Sequence, residues 1–143
     1  MKWVYDDGGR SQYFKGKNAG DCACRAIAIA TGKDYMEVYN DINMLAKDER
    51  ITKRRPTRSS ARNGVYIETL KKLMASYGWK WVATTGIGMG CKVHLRADEL
   101  PSGNIVARVS RHMTAVIDGV CHDIYDPSRE GTRCVYGYFI KEA

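Results

Sequence analysis

The sequence predicts an α+β domain, with helices gathered in the first half and antiparallel strands in the second. Two observations carry this. Residues 22 to 78 hold small and aliphatic residues at helical spacing, broken by Gly32 and by a polar, basic stretch. Residues 104 to 140 are instead a series of short runs rich in Val, Ile, Tyr and Thr with polar punctuation, the mark of strands. Helices first and strands afterwards is the α+β order.

The elements follow in turn. Residues 1 to 20, with Gly8-Gly9 and Lys15-Gly16-Lys17-Asn18-Ala19-Gly20, read as a loop entering the first helix. That helix runs from Cys22 to Thr31 and closes at Gly32; being small or aliphatic nearly all round, it is a buried helix. A second starts at Asp34, where Asp34-x-x-Glu37 has the form of a capping box, and it sets Tyr35, Val38, Tyr39, Ile42 and Leu45 on one stripe. Residues 47 to 63 form a basic loop, and a third helix follows Gly64 with Val65, Leu70, Leu73 and Met74 turned inward. Strands are expected over 79–84, 104–110, 112–117, 120–125 and 133–140.

At 143 residues the chain is long enough to bury its own core, and one domain over 1–143 is expected. The 44% hydrophobic content excludes a disordered chain. No apolar run approaches the roughly 20 residues that cross a bilayer, so no membrane contact is expected. Met1-Lys2-Trp3-Val4-Tyr5 lacks the apolar stretch of a signal peptide, which makes the cytoplasm the default compartment. Five cysteines, an odd number without paired spacing, fit reduced thiols better than a disulfide framework. The net charge of +7 implies attraction to acidic partners.

Two segments carry chemistry. Gly20-Asp21-Cys22 places a thiol at a helix start, where the helix field and free backbone N–H groups favour a thiolate and an oxyanion. In the second, Asp118-Gly119 is a two-residue hairpin turn that pairs Ile117 with Val120, Val116 with Cys121, Thr114 with Asp123 and His112 with Tyr125. Alternation then sets His112, Thr114, Val116, Cys121, Asp123 and Tyr125 on one face, with Asp123 the diagonal neighbour of His112 and His122 turned away. A thiol served by an imidazole and an acid is the set a cysteine nucleophile needs.

Asp-Cys leading into an Ala-rich helix, then Ser110-Arg111-His112, then a hairpin with Asp123, resembles the papain-like superfamily. It is most similar to the compact bacterial and phage papain-like proteins, akin to bacteriocin-processing peptidases and transglutaminase-like domains. The resemblance covers roughly residues 18 to 127 and implies a nucleophile-bearing central helix packed on a twisted antiparallel sheet. It implies Cys22 as nucleophile, His112 as base and Asp123 as orienting acid, with Asp126 a rival because some branches use an acid just before Pro. Asn18 and Gln12 are the candidates for the family's oxyanion amide, though their spacing departs from it. The function implied is a small cysteine peptidase, or a related amide hydrolase or acyl transferase, acting on a peptide or protein through a thioester with no metal or other cofactor.

The same residues leave other readings open. A catalytically silent papain-like binding module would keep the fold without turnover. A basic nucleic-acid-binding protein would use Lys53 to Arg62, or make nonspecific contact through its basic surface. A zinc site from Cys22-x-Cys24 misses the two-to-four-residue spacing of structural zinc pairs. Gly86-Ile87-Gly88-Met89-Gly90 lacks the helix start that a phosphate-binding loop requires.

Overall fold

The first helix, α1, is Cys22–Thr31, and the residues that make it helical also decide where it lies. Its alanines and Ile27 present almost no polar surface, so burial is its main source of stability: Cys24 and Ile27 are wholly enclosed. Gly32 ends it, its N–H donating to the Ala28 carbonyl at 3.0 Å. The second helix, α2, is Tyr35–Ala46, capped by Asp34, whose carboxylate accepts the Met36 N–H at 3.0 Å. Only half of the expected capping box forms, because Glu37 pairs with Lys33 at 3.2 Å instead of reaching back. The third, α3, is Ile67–Ser76, with Leu70, Leu73 and Met74 buried as expected.

The computed structural model describes residues 1–16, 20–86 and 88–142. Together with the three helices it holds a six-stranded sheet: β1 Lys2–Tyr5, β2 Trp79–Ala83, β3 Asn104–Val109, β4 His112–Ile117, β5 Val120–Asp123 and β6 Gly137–Lys141, ordered β1-β5-β4-β3-β6-β2. Every pairing but one is antiparallel. The exception corrects the sequence reading twice: residues 2–5, read as loop, form a strand, and it pairs with β5 in parallel. The sheet is therefore mixed. A 3-10 turn at Arg10–Gln12 follows β1.

The hairpin register is the expected one, with Ile117 opposite Val120 and Val116 opposite Cys121. Its turn has φ of 47° at Asp118 and 79° at Gly119, the doubly left-handed conformation that Asp-Gly tolerates and most pairs do not. Strand β5 stops at Asp123 rather than Tyr125, and β6 begins at Gly137 rather than Arg133.

One core joins the helices to the sheet, with Ile27, Val38, Ile42, Leu70 and Met74 against Val106, Met113, Ala115 and Phe139. A second, smaller one holds Leu95, Ile105, Ala107, Val109, Val116, Cys121 and Val135. Each fully enclosed aliphatic side chain contributes about 1.5–3 kcal/mol of transfer free energy. The segment before β3 is tied to that before β6 by a Cys91–Cys134 disulfide with a Cα–Cα separation of 5.8 Å. The expectation of five reduced thiols is thus corrected: Cys22, Cys24 and Cys121 are free. Nothing in the spacing of Cys91 and Cys134 announces the bond, because it depends on a long-range approach of two loops. No helix among the described residues is long and apolar enough to cross a membrane.

Candidate active site

The N-terminus of α1 sets Cys22 at the first helical position, preceded by Asp21. Asp21 is an N-cap residue by identity, yet its carboxylate does not cap the helix. It is buried and committed elsewhere: Arg10 Nε lies 2.9 Å away, Arg25 Nη1 3.3 Å, and the Tyr35 hydroxyl donates to it at 2.6 Å. Among the described residues, the first N–H groups of α1 therefore keep no side-chain acceptor. They are available to a developing negative charge beside Cys22.

The hairpin brings the other two groups. His112 opens β4 and Asp123 closes β5, and His112 Nε2 lies 2.7 Å from Asp123 Oδ2 with both side chains buried. This is the diagonal contact expected from the register. The Asp123 carboxylate also accepts the Ile124 N–H at 2.7 Å, and the Asp123 carbonyl accepts from Trp3 Nε1 and from the Asp6 N–H, each at 3.0 Å. Strand β1 thus fixes the acid. The Tyr125 ring tilts over the imidazole at 5.1 Å. With Nε2 engaged by Asp123, Nδ1 is the ring nitrogen left to serve the thiol.

Electrostatics separates the three free thiols. Burial pushes Cys24 and Cys121 up to about 12. Burial also works against ionisation of Cys22, but His112, the Met113 N–H and Arg25 outweigh it and hold this thiol below its ordinary value. His112 moves the opposite way: burial lowers it, while Asp123 and Cys22 raise it to about 8. A lowered thiol beside a raised imidazole favours a thiolate–imidazolium pair at neutral pH. Replacing Asp123 by Asn should therefore drop the His112 titration midpoint below about 8, since the strongest raising group is lost and Cys22 alone is left to oppose burial. An imidazole NMR titration reads this directly, and an unmoved midpoint would remove Asp123 from its role.

No family model, curated protein or solved structure matches the chain. The arrangement therefore rests on its own geometry. Cys22 and His112 line a cleft of about 200 Å³ together with Gly64, Val65, Leu70 and Arg111. Asp126 is not part of it: exposed, it accepts from the Ser128 N–H at 3.0 Å and the Ser128 hydroxyl at 2.7 Å, shaping a turn. Gln12 is exposed on the 3-10 turn and does not line the cleft. Asn18 lies outside the described residues. His122 faces Asp6 at 3.5 Å and His94 faces Glu99 at 3.2 Å; neither histidine lines the cleft that holds Cys22 and His112, although His122 and Asp6 border a small recess on another side of Cys22. Among the described residues no group of three His, Cys, Asp or Glu side chains is placed to hold a metal ion.

Sequence reasoning missed the charges around Asp21. The Asp21–Arg25 pair had a signal in its four-residue helical spacing, whereas Arg10 and Tyr35 reach it only through the tertiary fold. In the basic loop, Arg55 Nη2 contacts both Glu68 oxygens at 3.0 Å and lies over the Tyr66 ring at 4.4 Å, and Arg58 donates to the Glu49 carbonyl. Two arginines of that stretch are thus engaged within the fold.

Proposed function

We propose that this chain is a small papain-like cysteine hydrolase or acyl transferase acting on an amide of a peptide or protein. The observation that supports it most is the buried His112–Asp123 pair, at 2.7 Å, set with Cys22 at the head of α1. In this reading the Cys22 thiolate attacks the carbonyl carbon, and the negative charge moves to oxygen under the free N–H groups of α1. The His112 imidazolium gives its proton to the leaving nitrogen as the C–N bond breaks, leaving a thioester on Cys22. His112, now neutral, takes a proton from water or an amine, which attacks the thioester and releases the thiolate. Asp123 keeps the ring oriented and its charged form stable through both halves.

The test is the pH dependence of iodoacetamide alkylation, followed cysteine by cysteine by mass spectrometry. Cys22 is expected to react well below pH 8, where Cys24 and Cys121, raised to about 12 by burial, stay inert. Turnover should be bell-shaped, rising as Cys22 ionises and falling as His112 loses its proton near pH 8. A Cys22 profile indistinguishable from that of the other free thiols overturns the reading.

A further inference from the structure

We infer that the Cys22 cleft binds an acidic peptide segment, with Arg108 and Arg111 receiving an Asp or Glu side chain beside the attacked carbonyl. This substrate class rests on the hydrolase reading above. Both arginines line the cleft that holds Cys22 and His112, and no carboxylate lines it. Among the described residues neither forms an ion pair or a side-chain hydrogen bond. Six arginines are occupied: Arg10 and Arg25 by Asp21, Arg55 by Glu68, Arg96 by Asp98, and Arg58 and Arg133 by backbone carbonyls. Arg50, Arg54, Arg62 and Arg129 have no side-chain partner among the described residues either, but they do not line this cleft. Two arginines without side-chain partners, in a cleft also lined by Val65, Leu70 and Met113, match a carboxylate on a short aliphatic stem.

The backbone points the same way. Arg111 has φ of 57° in the turn between β3 and β4, a left-handed conformation that a side-chain-bearing residue adopts at a cost and that Gly or Asn would accept more readily. The turn is fixed from behind by the buried Arg133, whose guanidinium donates to the Ser110 and Pro127 carbonyls. A residue lining the cleft is thus held in a left-handed conformation by a braced turn. The one acid at the head of α1, Asp21, does not compete for it, because Arg10 and Arg25 already neutralise its charge.

The experiment compares alkylation of Cys22 by iodoacetate and by iodoacetamide in wild type and in Arg108→Gln/Arg111→Gln. The thiolate displaces iodide in both reactions, and the reagents differ in carrying a carboxylate or a neutral amide. The iodoacetate-to-iodoacetamide rate ratio is expected to fall by about fivefold in the double variant, as suits two partly exposed charges acting within a Debye length, and to fall with added salt. Peptidyl acyloxymethyl ketones carrying Glu, Ala or Lys beside the warhead should label wild type in that order, and the preference should vanish with the arginines. A ratio unmoved by the substitutions, with Cys22 still the fastest thiol toward iodoacetamide, overturns the acidic-substrate inference and leaves the hydrolase reading standing. Cys22 no faster than Cys24 or Cys121 toward either reagent overturns both. Salt-sensitive binding of a DNA duplex that needs the same two arginines, without discrimination among the ketones, overturns the inference in favour of phosphate recognition.

Discussion

In His112→Ala, the turnover proposed for this chain should fall by about 10³-fold, the middle of the range for losing a positioned acid–base group, and Cys22 should lose its reactivity below pH 8. The two effects share one cause. Burial alone would raise the Cys22 thiol, and His112 leads the groups that reverse this, through hydrogen bonding and charge. Without the imidazole, the Met113 N–H and Arg25 remain, and they must act against burial unaided. His112→Gln separates a lost proton carrier from a collapsed cleft, because Gln fills the space and keeps a polar contact with Asp123 but carries no titratable proton. Both variants should show the same loss. A low-pH alkylation profile preserved in His112→Gln would mean that Arg25 and the helix field set the thiolate, and the imidazole would lose its place in the mechanism.

Gly137→Ala should be the most damaging single methyl in the protein. Gly137 lies in β6 opposite Ala83 of β2 and Arg108 of β3, and a Cβ there would fall inside the Trp81 indole. The indole is rigid and packs on Phe139 at 4.9 Å, with Phe139 wholly enclosed in the core. Relief requires Trp81 to leave that contact or β6 to shift against both neighbours. Overpacking of this kind costs about 3 kcal/mol, which for a chain of this size lowers the melting temperature by about 10 °C. Thermal or urea unfolding measures it. The double variant Trp81→Leu/Gly137→Ala should lose much less than the sum of its parts, since the clash disappears with the ring. A loss under about 0.5 kcal/mol for Gly137→Ala would show that the indole has a second pose at no cost.

What the sequence disclosed follows the reach of the interactions involved. The bounds of α1 and β4 and the hairpin register were legible because each is set locally, by alanine packing, by period-two alternation and by Asp118-Gly119. The His112–Asp123 pair was legible for the same reason, being a diagonal within one hairpin. Strand β1 was not, since four residues whose partner lies at Val120–Asp123 show no pattern of their own. The Cys91–Cys134 bond, the Arg10–Asp21–Tyr35 cluster and the cleft arginines were equally hidden, because each joins distant segments. The rivalry between Asp123 and Asp126 needed coordinates to resolve: both are acids near the end of β5, and only one faces the ring.

The parallel strand β1 also orders events in time. The Trp3 indole reaches the Asp123 carbonyl across 120 residues of chain. At 5–20 residues per second of synthesis, β1 is made about 6–24 s before its partner strand. For most of that interval Cys22 and its helix are already made, while His112 and Asp123 are not. A nascent chain of this protein therefore carries an ordinary thiol, and the pairing that pins Asp123 is among the last contacts available to it. Long-range pairing of this kind is also the slow part of folding, because its loop must close before any contact repays the entropy. Cys22 is thereby without His112 and Asp123 until the hairpin has been made.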